Sequence, residues 1–259
     1  MSSLARVHPP FIMIALLLVG WVTPTAVASS DAQAERGIVL VAGATGRLGR
    51  HLIEQAHAAG FAVRGITRDP AAARAQYGDE YDWVAGDIRA PESLPAAVAG
   101  VDYVICAAGS TTPTGPNAPQ FVDYEGARNL IDAAAREGIE QFVLVSSIGV
   151  TQRFHLLNLT FGEVLKWKWA AEQHLRASGL TYTIVRPGGL RPGPAQLEGV
   201  AINQGDAKGG SYIYLPDAAS VMIATLGNPD AIGKSFEMLS DRTAQPDAWR
   251  DVFTALETD

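Results

Sequence analysis

From Ile38 onward two rhythms of apolar residues alternate along the chain. Near-continuous apolar runs, rich in Val, Ile and Leu, occupy residues 38–42, 61–67, 82–86, 101–107, 141–145 and 181–185. Between them, residues 50–59, 91–99, 123–137 and 162–178 place apolar side chains at helical spacing. Runs apolar at successive positions suit strands buried on both faces. Strands separated by helices imply a parallel sheet with right-handed crossovers. Further on, 201–202 and 212–214 read as short strands, 218–226 as a helix with Asp217 as its N-cap, 235–239 as the last strand and 246–256 as a terminal helix. The Gly- and Pro-rich stretch 192–210 reads as a loop over one end of the sheet. The expected organisation is a single α/β domain over residues 37–259, to which 187–259 contribute a small C-terminal subdomain.

The first strand ends at Gly43-Ala44-Thr45-Gly46-Arg47-Leu48-Gly49, and a helical pattern begins at Leu48. A helix start carries unpaired N–H groups and a partial positive charge, which suits a phosphate where no side chain blocks the approach. Gly43 supplies the tight turn, Gly46 close backbone approach to a pyrophosphate, and Gly49 close packing of helix on strand. The spacing is Gly-x-x-Gly-x-x-Gly rather than Gly-x-Gly-x-x-Gly. Strand, turn and helix together point to a dinucleotide site.

In such a sheet the ligand lies at the carboxyl ends of the strands. After the second strand comes Arg68, roughly where an NAD site places an acid for the ribose 2′-OH. A guanidinium there can pair bidentately with a 2′-phosphate, with Arg47 as a second cation, so NADP(H) is favoured over NAD(H). Asp69, next in the chain, weighs the other way. After the third strand come Asp87, which can accept from an adenine amino group or assist the helix that follows, and Ile88, which can pack on the ring. After the fourth, Ala107, Ala108 and Gly109 let a ribose lie on the backbone, and 110–119 reads as a mobile loop above the site. Ser146-Ser147 follow the fifth strand, and Pro187-Gly188 end the sixth.

Composition narrows the class. The chain has 259 residues, 47% hydrophobic and 18% charged, with a net charge of −7. That excludes a general nucleic-acid binder, which needs a basic surface. Cys106 is the single cysteine and lies in an apolar run, so it reads as a buried inert thiol rather than a nucleophile. No metal site is expected. Residues 1–36 read as a leader: Arg6, an apolar core over 11–22, then Ala26-Val27-Ala28 as a small-x-small cleavage site. Three placements follow from it: export to a periplasm or organelle lumen, membrane anchoring by the N-terminal segment, or the cytoplasm if the true start lies downstream.

The glycine turn, Gly86-Asp87, Val145-Ser146-Ser147, Lys168 with Glu172, and the stretch from Ser178 to Gly188 resemble the atypical short-chain dehydrogenase/reductase superfamily, in its NAD(P)-binding NmrA-like subgroup. The resemblance spans about residues 38–239 and is most specific over 168–190. It implies a Rossmann-type doubly wound parallel sheet of strand order 3-2-1-4-5-6-7 with a substrate-side subdomain, NADP(H) in the cleft, and Lys168 on the nicotinamide ribose.

Typical members of that superfamily carry Tyr-x-x-x-Lys, the Tyr giving a proton to the substrate as hydride arrives. Here the residue four before Lys168 is Val164, which has no proton to give. Read without the resemblance, Lys168 is a solvated lysine on an amphipathic helix. Ser146 and Ser147 can orient a substrate or the nicotinamide amide, or satisfy nearby backbone. Tyr124 and His155 are candidate replacement donors, each more simply read as packing and loop residues. Two functions remain: an NADP(H)-dependent reductase of a small or hydrophobic substrate using Lys168, Ser146 and a substrate- or water-derived proton, or a non-catalytic NADP(H)-binding redox-sensing regulator or assembly factor.

Overall fold

The computed structural model describes residues 36–152, 154–205 and 212–259. The leader read in residues 1–36 lies outside these apart from Arg36, as does part of the 192–210 loop. Strand β1 (Ile38–Ala42) shows why an unbroken apolar run was needed. Val39 and Val41 enter the core on one face, Leu40 and Ala42 the core on the other, and all four are wholly buried. Helix α1 (Arg47–Ala58) follows, then β2 (Ala62–Thr67), α2 (Pro70–Tyr77), β3 (Asp82–Ala85), α3 (Leu94–Val98), β4 (Tyr103–Cys106), α4 (Ala127–Glu137) and β5 (Gln141–Val145). The second half adds α5 (Leu156–Thr160), α6 (Val164–Ala177), β6 (Tyr182–Pro187), β7 (Gly189–Arg191), β8 (Gly199–Asn203), β9 (Tyr212–Tyr214), α7 (Leu215–Thr225) and β10 (Lys234–Asp241).

The main sheet runs β3-β2-β1-β4-β5-β6-β10-β8. Its first seven strands pair in parallel, and β8 joins β10 antiparallel. With β10 as the seventh strand, this is the expected doubly wound order, closed by an antiparallel margin. Helices α1 and α7 pack on each other over one face, where Leu52, Ile53 and Met222 meet Val41, Ile105 and Val143. Helices α3, α4 and α6 cover the other, where Leu94, Leu130 and Leu175 meet Leu40, Val104 and Phe142. Strands β7 and β9 form a small parallel pair beside the main sheet.

Several expectations need correction. A helix, α2, fills the space between β2 and β3 that the pattern left empty. Asp69 is its N-cap, accepting from Ala72 N at 2.9 Å, and Pro70 opens its first turn. One oxygen of Asp69 is therefore engaged in capping. Asp217 is not an N-cap: it sits inside the first turn of α7, and its Oδ1 accepts from Gln196 N at 2.8 Å, tying the 192–198 stretch to the helix. The expected helix over 123–137 begins as a π turn at Gln120–Gly126 and becomes α-helical only at Ala127. Residues 246–256 wind as two 3₁₀ turns, Ala248–Asp251 and Phe253–Ala255, each burying one aromatic, Trp249 or Phe253.

Beneath the carboxyl end of β6 lies a buried charge cluster. Arg186 donates to Glu172 Oε1 at 3.0 Å and Oε2 at 2.7 Å and to Glu237 Oε1 at 3.2 Å, and both carboxylates are fully buried. Two carboxylates drive the Arg186 guanidinium further up despite its desolvation. Removing one member strands charge in the core, which costs about 3–5 kcal/mol. Arg186→Met is expected to lose that much in urea-unfolding free energy at pH 7, whereas Arg250→Met, at an exposed pair, should change it by less than about 1 kcal/mol.

Candidate cofactor and reaction cleft

The sheet's winding reverses between β1 and β4, and the loops leaving these two strands part there. They stay so close that a Cβ on Gly43 would stand 2.8 Å from Ala108 N and 2.9 Å from Ala107 O. Gly43 also holds a φ of 85°, which glycine alone adopts cheaply. A Cβ on Gly49 would collide with Gly43 O and the backbone of Ala44, so the helix presses directly on the turn. Gly46 is the N-cap of α1, without a side-chain cap and with no acid in the first turn. The amides of Arg47, Leu48 and Gly49 are thus available to an anion. Ala44, expected at the cofactor site, is instead fully buried in the core beneath the turn and lines neither cleft. Tyr77 Oη donates to Thr45 O at 3.0 Å and fixes the turn from outside. This cradle of main-chain amides fits a dinucleotide pyrophosphate.

On one side of the turn is a cleft of about 230 Å³ whose walls include Gly43, Thr45, Arg68, Asp87, Ile88 and Gly109. It brings together residues from the ends of four strands. Arg89, which the sequence reading passed over, stands in the same wall. Its Nε donates to Asp87 Oδ1 at 3.0 Å and its NH2 to Oδ2. That hydrogen-bonded guanidinium holds the Asp87 carboxyl below the usual carboxylate range. Arg89 also donates to Pro116 O at 2.9 Å and Asn117 Oδ1 at 2.8 Å, so the 110–119 loop is tied down over this cleft. Asp87 Oδ1 also accepts from Arg89 N at 2.9 Å in the turn that follows, but the 3₁₀ turn Pro91–Ser93 has Ala90 as its N-cap, and Ser93 Oγ there accepts from Asp87 N. Arg47 lines a different wall from Arg68, facing the second cleft and a groove along α1, so the two arginines do not converge.

The second cleft, of about 560 Å³, opens on the other side of the turn. Arg47, Leu48, Ala107, Ala108, Ser146 and Lys168 line it near the turn, and His155, Leu157, Pro187, Gly188 and Leu190 farther out. Lys168 is not a solvated surface lysine. Its Nζ donates to Val145 O at 3.2 Å and pairs with Asp123 Oδ1 at 2.9 Å. Helix α6 is aimed there by Asn158 of α5, whose Oδ1 accepts from Leu165 N and Lys166 N at its start. Ser146 Oγ is buried beside Lys168 and has no hydrogen-bond partner. Ser147 Oγ donates to Ile148 O. Val164, one turn before Lys168, packs with Val150 and Leu165. Tyr124 stacks on Trp167, and His155 caps α5 through Nδ1 while facing the cleft.

A sequence profile described as NAD(P)H-binding matches residues 43–229 of this chain. The chain belongs to this NAD(P)H-binding family. An uncharacterised chloroplastic protein of Arabidopsis thaliana is 33% identical over 250 residues, 90% of this chain and 89% of that protein. Protein TIC 62, chloroplastic, of Pisum sativum is 33% identical over 237 residues, 80% of this chain, yet the chain spans only 43% of it. Sanguinarine reductase of Eschscholzia californica is 28% identical over 260 residues, 84% of this chain and 94% of that enzyme. A putative NAD-dependent epimerase/dehydratase from Bacillus halodurans superposes with a TM-score of 0.72 at 30% identity, over 80% of this chain and 95% of that one. These relatives are of the atypical short-chain dehydrogenase/reductase kind.

As a member of the NAD(P)H-binding family, the chain reveals two site residues that its sequence hid. Asp123 was read as the start of a helix; the π turn that precedes α4 instead rotates it inward to Lys168. Arg89 lay two residues beyond Asp87 in an unremarked turn, and only the folded loop shows what it binds. Cys106 closes β4 beneath the cleft, and burial pushes its thiol up to about 11. At pH 8 it is therefore protonated as well as inaccessible. Iodoacetamide at pH 8 is expected to leave the native protein unlabelled by mass spectrometry and to alkylate it fully in guanidinium chloride.

Proposed function

We propose that this chain is an NADP(H)-dependent reductase of a small or hydrophobic substrate that works without a tyrosine acid. The observation that carries the reading is Lys168, drawn out of solvent and held at the cleft by Asp123 and Val145 O, beside the unpartnered hydroxyl of Ser146. Bound there, a reduced nicotinamide supplies hydride, chemistry that belongs to the coenzyme. The glycine-turn amides hold the pyrophosphate, Lys168 donates to the ribose, and Ser146 donates to the substrate oxygen. Leu157 and Leu190 give the outer wall an apolar face for the substrate. Water, or the substrate itself, provides the proton. Arg68 in the wall of the first cleft favours the 2′-phosphate of NADP(H).

One observation favours a second reading. Val164, at the motif position of the usual proton donor, is packed against Val150 and Leu165 and has no proton to give. A protein that binds NADP(H) and reports its redox state, or helps assemble a partner, needs no such donor. A leader that exports or anchors the chain belongs to the proposal as well, and the chloroplastic relatives agree with an organelle setting. N-terminal sequencing of the native protein tests it.

NADPH oxidation across quinones, flavins and carbonyl compounds separates the two functions, because a non-catalytic binder consumes none. If it is a reductase, Ser146→Ala should lower kcat about a hundredfold with little change in the Kd for NADPH. Wild type should bind NADPH more tightly than NADH in fluorescence titrations, and Arg68→Ala should shrink the gap about tenfold. Equal wild-type affinities refute the NADP preference.

A further inference from the structure

Asp123 sits on the π turn ahead of α4 with its side chain 1% exposed. Oδ1 lies 2.9 Å from Lys168 Nζ, and Oδ2 accepts from Ser110 N at 3.0 Å. An ammonium has three donors. Lys168 spends one on Asp123 and one on Val145 O, 3.2 Å away. Both acceptors lie on the protein side, so the third N–H is directed into the cleft that Lys168 lines. Two neutral acceptors would aim the lysine equally well; a carboxylate does something more.

The second effect is electrostatic. Between Asp123, Lys168, Ser146 and Cys106 the structure leaves a crevice of only about 10 Å³, room for a single water at most. With Asp123 1% and Lys168 17% exposed, the pair is largely withdrawn from bulk solvent and is screened less than a surface pair. An oxidised nicotinamide ring is a cation and a reduced one is neutral. A lone ammonium beside the ring would repel the oxidised form and leave the reduced form untouched.

We propose that Asp123 is a charge-balancing positioning residue: it aims Lys168 into the cleft and cancels the ammonium's charge, so that the site does not discriminate against the oxidised coenzyme. This rests on the coenzyme-binding reading above. It assigns a role to a carboxylate that touches neither coenzyme nor substrate and acts through Lys168. Arg47, in the same cleft, is unchanged by the substitutions below, so differences between variants isolate the pair.

The test is calorimetric titration of the full chain with NADPH, NADP⁺ and 2′,5′-ADP, which lacks the nicotinamide end. Asp123→Asn keeps the shape and removes the charge. It should raise the ratio of the NADP⁺ Kd to the NADPH Kd about three- to tenfold. Lys168→Met should move the ratio the opposite way, and the double variant should return it to near the wild-type value. The affinity for 2′,5′-ADP should stay constant throughout, which a merely structural role would not separate from the rest. Asp123→Ser replaces Asp123→Asn if the latter does not fold. A ratio unchanged in both single variants overturns the proposal while leaving coenzyme binding intact. A wild type that binds none of the three ligands overturns the coenzyme reading and this role with it.

Discussion

The contact on which the site depends is one between two stretches of main chain. Where the winding of the sheet reverses, the turn after β1 and the loop after β4 approach until no β-carbon fits between Gly43 and the Ala107–Ala108 peptide. The same turn receives α1 so closely that Gly49 also has to be bare. These omissions aim helix amides outward and set the distance between the two clefts. Everything a coenzyme would touch, from Arg68 on one side to Lys168 on the other, is referred to that junction.

Much of this was legible in the sequence because it depends on local rules. Unbroken apolar runs specify strands covered on both faces, and β1, β4 and β5 obey that rule apart from Gln141, which is buried and hydrogen-bonded to Thr183 and Thr225. The glycine turn follows from spacing and the parallel sheet from alternation, while the strand order is what the family resemblance implies. What escaped notice depends on long-range geometry or on small departures from regular winding. Asp123 was hidden by a helical register that the π turn shifts. Helix α2 was missed because its apolar face is a single buried alanine, Ala73, too little to mark a period. Arg89 and the cluster of Glu172, Arg186 and Glu237 announce themselves only once the strands are side by side.

Charge is handled in three ways around the cleft. At the turn, backbone dipoles add positive potential to that of the Arg47 guanidinium. On the wall of the first cleft, Arg89 and Asp87 neutralise each other while the guanidinium also fastens the 110–119 loop. At the far side, Lys168 at the cleft wall is paired with the buried carboxylate of Asp123. Below them, Arg186 joins strand β6, helix α6 and strand β10 through two buried carboxylates, so the floor of the second cleft is braced by ionic contacts as well as apolar packing.

The two margins of the sheet are finished differently. Strand β3 is four residues long, and it stops before it can offer much unpaired backbone to a newcomer. At the opposite margin β8 runs against its neighbour, and the turn carrying Trp249 packs beside it. A sheet blunted at one border and shielded at the other gives a neighbouring molecule little to extend, which guards a strand-rich chain against runaway self-association while its open rim stays free for small molecules.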